Sequence, residues 1–201
     1  MTTTRRTQQQ RRDQAESALL HAAAELVVEQ GVRALTLVRV SERAGYSRGL
    51  VTHHFGSKQA LLERLAHATQ AGFVPGLDGL PPGFDRLLRL IDGYLGALGR
   101  VGVWNRAFLL LWAEAATAPE LAPIFHERDE AFRAELSEDV AAGLADGTIR
   151  PDVVPGEAAI AIVGQLRGIG LQRLLDHEAV DTERLRHAVT GQWRRALARD
   201  R

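Results

Sequence analysis

The sequence predicts an all-α protein of about nine helices. Apolar residues recur three and four positions apart in almost every segment, which is the spacing that puts them on one face of a helix. Glycine, proline and hydroxyl residues, the usual start and stop signals of helices, separate those segments. No segment shows the sustained alternation of a half-buried strand, and neither an internal repeat nor a coiled-coil heptad pattern is present. With 201 residues, the chain can form one large or two small domains.

The first helix is predicted from about Gln14 to Gln30, where Asp13 and Glu16 have the spacing of a capping box and Gly31 ends the helix. The residues before it, 1–12, carry four arginines and no acid. They are predicted to form a disordered basic arm, which could also add phosphate or minor-groove contacts on DNA.

Two short helices joined by a tight turn follow at residues 35–56. Thr36 is placed to cap the first, Gly45 to end it in a left-handed conformation, and Ser47 to cap the second. Gly56 ends the second helix, and Ser57 caps the next. The apolar residues of the pair lie at helical spacing, and they are Leu37, Val40, Ala44, Val51 and Phe55. Helices so short and so close must cross steeply, which is the geometry of a helix-turn-helix.

A fourth helix is predicted over residues 57–71, and a Gly/Pro-rich connection follows over residues 72–83. Amphipathic segments continue to the C-terminus, with five more helices at about 87–98, 104–115, 119–144, 155–175 and 181–199.

Charge is unevenly distributed although the net charge is zero. Residues 1–58 contain nine basic and five acidic residues, so this part has a net charge of +4 and the remainder −4. The basic end can approach phosphates while the acidic end is repelled by them. No apolar run approaches the length of a membrane span, and the N-terminus has no apolar signal segment. We therefore expect a soluble, cytoplasmic protein without a membrane partner.

Residues 36–58 resemble the DNA-binding signature of TetR-family transcriptional repressors. The resemblance is carried by Thr36, by Ala44-Gly45-Tyr46-Ser47 and by His54-Phe55-Gly56-Ser57-Lys58. The sequence departs from the family pattern at Arg39 and Thr52, which puts the operator sequence in doubt. The C-terminal part is similar to the BetI-type version of the family through Trp112-Ala-Glu114 and Gly168-x-x-Leu171-Gln172.

The resemblance implies a homodimeric repressor that binds palindromic operator DNA and is released by a small, largely apolar effector of unknown identity. Its domains would be a helix-turn-helix DNA-binding domain at 13–56, a connecting helix at 57–71 and a ligand-binding and dimerisation domain at 72–201. A transcriptional activator or an architectural DNA-binding protein of the same fold remain alternatives, with a small helical enzyme as a distant one.

The predicted DNA contacts are Thr36, Ser47, Arg48, Gly49, Thr52, His53 and Lys58. Arg48 can pair bidentately with guanine, and Thr52, one turn later, can offer its hydroxyl or methyl group to a base. Gly49 permits close approach to DNA, and Ser47 is either a contact or only a cap. Thr36 and Lys58, at two helix N-termini, are interpreted as phosphate contacts. By resemblance His53 points toward a phosphate, whereas His54 could equally be a packed structural residue.

The penultimate helix is apolar on more than one face. One side can pack in the core and the other on a second subunit, although it could also be the central helix of a monomer. The resemblance favours a four-helix dimer interface with the last helix, predicted at Leu166, Gly168, Leu171, Leu175, Leu185, Val189 and Trp193.

The middle helices carry an aromatic group. By resemblance it encloses an effector pocket, predicted at Phe108, Leu111, Trp112, Phe125 and Phe132; an ordinary aromatic core would use the same residues. His126 and Arg128 are weaker candidates for polar contacts.

No catalytic, cofactor or metal-binding constellation was found in the sequence. The chain has no cysteine, and it contains no P-loop, G-x-S-x-G or HExxH motif. The acidic residues after His126 are interpreted as a solvated helix face. We therefore expect no cofactor, no metal ion and no enzymatic activity.

Overall fold

The computed structural model describes residues 8–69, 79–99 and 102–199, and in these residues it has nine α-helices and no β-sheet. This confirms the predicted all-α fold. The helices are α1 (Gln8–Gln30), α2 (Leu37–Ala44), α3 (Arg48–Phe55), α4 (Lys58–Thr69), α5 (Phe84–Gly99), α6 (Val103–Ala115), α7 (Ala122–Ala145), α8 (Pro155–Leu175) and α9 (Thr182–Leu197), with one 3-10 turn at Val32–Ala34. Residues 1–7 of the predicted basic arm and most of the connection at 72–83 lie outside the described residues.

The first helix begins earlier than predicted, at Gln8. Asp13 lies inside the helix and accepts a hydrogen bond of 2.7 Å from Gln9 Nε2. The predictions that Asp13 starts the helix and that residues 8–12 belong to a disordered arm are therefore wrong. The physical reason is helix propensity, because glutamine and arginine are good helix formers and extend the helix beyond the predicted capping position at Asp13.

Two compact units make up the described chain. The first contains residues 8–69 and 106–125, and the second contains residues 79–99, 102–105 and 126–199. Residues 106–125 therefore group with the N-terminal helices, although we predicted a boundary at residue 72. The sequence showed only the Gly/Pro-rich connection, whereas compact units depend on packing between distant segments.

In the first unit, α1 packs against α2 and α4, and α3 packs against both α2 and α4. The side chains at the centre are fully buried aliphatic residues, among them Leu19, Val27, Leu35, Val40 and Val51. They hold the two short helices in place although neither helix is long enough to be stable alone.

In the second unit, α5 packs along α9 and against α8. Gly96 and Gly99 permit the close approach of α5 and α9, since a Cβ atom at Gly99 would lie 2.9 Å from Thr182 Oγ1. Arg186 of α9 also forms an ion pair with Asp92 of α5, at 2.6 Å. The predicted α8 is confirmed at its bounds, with proline in its first turn.

A buried carboxylate connects α7 to the start of α5. Asp139 has no exposed surface, and it accepts hydrogen bonds from Gly83 N (3.0 Å) and Arg86 Nη1 (2.8 Å). Arg86 also contacts Glu135, one turn earlier on α7. Nothing in the sequence indicated this contact, because its residues are far apart in the chain.

Candidate nucleic-acid interface

Local hydrogen bonds define the turn between α2 and α3. Thr36 Oγ1 accepts from Arg39 N (3.2 Å) at the start of α2, and Ser47 Oγ accepts from Leu50 N (3.3 Å) at the start of α3. Gly45 has a positive φ of 72°, which glycine adopts without steric cost. These residues agree with the predicted capping signals, and the two helices form a helix-turn-helix.

The second of these helices, α3, has one buried and one exposed face. Val51 is fully buried and Phe55 is 6% exposed, so this side faces the core of the first unit. The four residues predicted to contact DNA from this helix all lie on the exposed side, and they are Arg48, Gly49, Thr52 and His53. The structure thus brings them together on one solvent-facing surface.

Thr36 and Lys58 are exposed and stand at the N-termini of α2 and α4. Ser57 Oγ accepts from Ala60 N (3.1 Å), so Ser57 caps α4 as expected. Backbone N–H groups at helix N-termini favour anions, which makes both positions suitable for phosphate groups.

His54 is half-buried, unlike its neighbour His53. Burial lowers the pKa of His54, with smaller contributions from the positive charge of Arg12 and from His53. A lowered pKa favours the neutral imidazole at pH 7. Its ring lies 6.1 Å from the ring of Phe55, so of the two interpretations of His54 its partial burial favours the packed residue.

Ion pairs connect the helix-turn-helix to α1. Arg43 Nη1 lies 2.8 Å from Glu29 Oε1 and 3.5 Å from Glu25 Oε2, and these carboxylates raise the pKa of the Arg43 guanidinium. Arg39 donates to the carbonyl oxygen of Ala34 (3.2 Å). Arg39 departs from the family pattern, and this hydrogen bond holds its guanidinium against the protein.

A second group of polar and aromatic side chains lies inside the second unit. We call it the Phe132 cluster, and it consists of Tyr94, Arg128, Asp129, Phe132 and Arg167. Arg167 Nη1 donates to Tyr94 OH (2.7 Å) and Nη2 donates to Asp129 Oδ1 (3.2 Å). The rings of Tyr94 and Phe132 are nearly parallel, with centroids 6.3 Å apart. The guanidinium carbons of Arg128 and Arg167 each lie 5.7 Å from the centroid of Phe132.

The residues of the predicted effector pocket lie in different units. Phe108 and Phe125 belong to the first unit, where their rings lie 5.7 Å apart and are buried. Leu111 is also buried there, whereas Trp112 is half-buried. Phe132 belongs to the second unit and to the Phe132 cluster. Nothing in the sequence predicted that Tyr94, Asp129 and Arg167 would lie beside Phe132. The only indication was that Arg167 is a charged residue within the apolar helix α8.

One face of α8 is exposed in the single chain. Ile160 is 62% exposed and Leu175 is 88% exposed. Gly164 is exposed on the same face, and Gly168 and Leu171 are half-buried. We call these five residues the α8 stripe, and their spacing of three or four residues places them along one side of the helix.

The predicted interface residues divide into two groups. Gly168, Leu171 and Leu175 belong to the α8 stripe, and Leu185 and Trp193 are half-buried on α9. Leu166 and Val189, by contrast, are 0% and 4% exposed in the single chain. These two side chains face the subunit's own core, so they offer almost no surface to a partner.

Two family models match the chain. Residues 19–65 match the model described as bacterial regulatory proteins of the tetR family. Residues 84–198, more than half of the chain, match the BetI-type transcriptional repressor C-terminal model. The chain belongs to the TetR family of transcriptional regulators. It has the BetI-type C-terminal part that the resemblance implied.

Curated relatives agree with this membership. The regulator BetI 1 of Chromohalobacter salexigens is 24% identical over 186 residues, covering 90% of this chain and 89% of the relative. BetI of Escherichia coli strain K12 is 24% identical over 182 residues, covering 86% and 90%. The relatives of this TetR-family chain are transcriptional regulators and not enzymes.

Solved structures show the same fold. A transcriptional regulator of Saccharomonospora viridis in complex with choline has a TM-score of 0.79 at 18% identity, covering 94% of this chain and all of that one. NalD of Pseudomonas aeruginosa, the secondary repressor of the MexAB-OprM efflux pump, has a TM-score of 0.75 at 23% identity, covering 94% and 98%. The SmeT–triclosan complex has a TM-score of 0.74 at 20% identity, covering 93% of each chain.

In the part of the chain that the structure describes, no helix has the length and apolar character required to cross a membrane. Within the same residues, no group of three or more His, Asp or Glu side chains is placed to hold a metal ion.

Proposed function

We propose that this regulator is a homodimeric repressor that binds a palindromic operator through α3 and is released by a small-molecule effector. The observation that supports it most strongly is the exposed face of α3, on which Arg48, Gly49, Thr52 and His53 lie together. The buried face holds the helix rigidly, so the exposed face can enter the major groove as a unit. We retain the predicted division into domains at 13–56, 57–71 and 72–201 as part of the proposal.

Base recognition is assigned to the first two turns of α3. Arg48 donates to guanine O6 and N7, and Thr52 contacts the neighbouring base. A Cβ atom built at Gly49 meets nothing within 4 Å, so packing within the chain does not require glycine there. We attribute the glycine at position 49 instead to the close approach of α3 to DNA. Thr36, His53 and Lys58 contact phosphates, and Ser47 acts as the cap of α3.

Arg48→Ala is expected to weaken binding to the operator by about 1–3 kcal/mol and to relax specificity at one base pair in each half-site. Lys58→Ala is expected to weaken cognate and random DNA alike and to lower the salt dependence by about one counterion per subunit. Fluorescence anisotropy on both DNAs at several salt concentrations measures these effects. Equal losses on both DNAs for Arg48→Ala would show that it contacts only phosphate. A wild-type protein without preference for any sequence would instead be an architectural DNA-binding protein.

Dimerisation is assigned to the α8 stripe together with Leu185 and Trp193, which are half-buried on α9. An apolar stripe that contains Ile160 and Leu175 is costly to leave in water, and a second copy of the same helix can cover it. Gly164 and Gly168 have no side chains, so they permit the two copies of α8 to approach closely. Trp193 Nε1 donates to Gln165 Oε1 (2.6 Å), which connects α9 to α8, so both helices can contribute to one surface.

Release by an effector requires a conformational change that reaches α3. The helix α4 follows the helix-turn-helix directly and packs against α1 and α3, so a tilt of α4 changes the position of the recognition helix. In a dimer the DNA sets the distance between half-sites, and a shift of a few ångströms misplaces one recognition helix. A coupling of about 1–3 kcal/mol is sufficient to change occupancy by roughly tenfold.

An effector is expected to bind less tightly when operator DNA is present, by the same factor by which it weakens DNA binding, because coupling is reciprocal. Choline, triclosan and a set of metabolites can be titrated with tryptophan fluorescence as the signal, with and without a saturating operator duplex. A random duplex of equal length is the control. A compound that binds equally well in all three conditions is not an effector, and its site is not coupled to DNA binding.

A further inference from the structure

The Phe132 cluster contains more positive than negative groups. Two guanidinium groups, of Arg128 and Arg167, lie beside Phe132, and one carboxylate, of Asp129, is paired with Arg167. Tyr94 adds no charge, because burial raises the pKa of its phenol and keeps it neutral. The cluster therefore carries one net positive charge in a region where water is largely excluded.

The two arginines differ in how they are held. The Arg167 side chain is 4% exposed, and its hydrogen bonds to Tyr94 and Asp129 fix its position. Arg128 is half-buried, so a molecule from solvent can reach it. Its Nε–H is buried and has no hydrogen-bond partner within the described residues. A buried, charged donor without an acceptor is unfavourable, so the present position of Arg128 leaves the hydrogen-bonding capacity of its guanidinium incompletely used.

The aromatic rings of the cluster are already engaged by cations. Arg167 lies 5.6 Å from the centroid of Tyr94, and both arginines lie 5.7 Å from that of Phe132. A ligand cation such as a quaternary ammonium needs free aromatic faces and would also be repelled by the net positive charge. The cluster is therefore poorly suited to a cationic ligand.

We propose that the Phe132 cluster binds an anionic ligand, a carboxylate on an apolar or aromatic body, whose oxygens accept from Arg128 while Arg167 provides a fixed second positive charge. The planar guanidinium of arginine matches a carboxylate in geometry. The apolar stem of the half-buried Arg128 can contact the body of the ligand. This inference rests on the proposed function, since it names the chemical class of the effector.

The test compares each carboxylate with an amide of nearly the same shape, and adds two cationic ligands. Benzoate and octanoate are the anions, benzamide and octanamide the neutral counterparts, and benzyltrimethylammonium and choline the cations. Binding is measured by calorimetry and by the shift in melting temperature, at constant ionic strength because salt screens charges. We expect each carboxylate to bind about 10- to 100-fold more tightly than its amide. Equal or weaker binding of both carboxylates, or no binding of either up to roughly 10 mM, would overturn the proposal.

Variants of Arg128 separate charge from geometry, and the half-buried position makes them tolerable to the fold. Arg128→Gln is expected to abolish the preference for carboxylates, and Arg128→Lys to retain part of it. Arg128→Glu reverses the net charge and is expected to favour benzyltrimethylammonium. Arg133→Gln, on the same helix, is the control and should leave the preference unchanged. An undiminished preference in Arg128→Gln would place the anion elsewhere.

Two claims are tested separately: that the Phe132 cluster binds an anion, and that this anion controls operator binding. Carboxylates that bind through Arg128 and leave operator affinity unchanged would support the anion site and refute its role as the switch. Release of the operator by choline, with no carboxylate binding, would refute the anion site and leave a ligand-responsive regulator.

Discussion

Replacing Gly168 with tryptophan is expected to convert the proposed dimer into monomers and to raise the operator Kd by at least about 100-fold. The loss is large because two linked DNA-binding units gain roughly 10²–10⁴ in affinity over one. A Cβ atom built at Gly168 meets nothing within 4 Å in the single chain, so the start of a side chain there is not blocked by the subunit itself. A monomeric variant whose circular dichroism and melting temperature match those of the wild type therefore indicates that a partner covers this position. Light scattering and operator anisotropy measure the two outcomes.

A matched control places the same bulk on another exposed helix. Ala134 is exposed on α7, outside the α8 stripe, so Ala134→Trp should remain dimeric and bind the operator normally. A Gly168→Trp variant that is still a dimer would exclude the α8 stripe as the interface. A monomeric wild-type protein that binds a palindrome tightly would exclude the proposed dimer itself.

Replacing Asp139 with alanine is expected to lower the free energy of unfolding by about 2–4 kcal/mol, since removing one partner of a buried ion pair leaves the other uncompensated. Asp139 has no exposed surface and accepts from both Gly83 N and Arg86 Nη1. Glu135 remains available to Arg86, which limits the loss. Asp139→Asn retains one acceptor oxygen and should cost less. Urea unfolding followed by circular dichroism gives the values.

The control for this prediction is an exposed ion pair. Asp152 is paired with Arg150 Nε at 3.2 Å, and its side chain is 68% exposed. Asp152→Ala should therefore change stability by no more than about 0.5 kcal/mol, because water screens exposed pairs. If both variants lose the same amount, burial does not determine the contribution of Asp139.

The helix-turn-helix could be predicted almost to the residue because its determinants are local. Thr36, Gly45 and Ser47 act on residues at most five positions away, and each functions in the structure as its position in the sequence indicated. The same holds for the bounds of α8, where Pro155 starts the helix. The capping pattern was a poorer guide at the N-terminus, where Asp13 and Glu16 have the spacing of a capping box but lie inside α1, so the predicted start was too late.

The Phe132 cluster was less predictable from the sequence because it depends on long-range packing. The Phe132 cluster combines residues 94, 128–129, 132 and 167, and no local pattern indicates that they meet. Arg128 stood out in the sequence only as a weak candidate. Similarly, the apolar pattern of α8 could not separate the core side of Leu166 from the α8 stripe, since both sides are apolar.

The two faces of α3 also bear on how such a regulator evolves. Val51 and Phe55 maintain the position of the helix, whereas Arg48, Thr52 and His53 are exposed and make little contribution to the core. Substitutions at exposed positions usually change stability by less than about 0.5 kcal/mol. Under the proposed base recognition, gene duplication followed by mutation at Arg48 and Thr52 can therefore produce new operator preferences while the fold and its stability persist. Binding specificity can therefore change along this helix with almost no loss of stability. Duplicated regulators can then acquire different operators quickly.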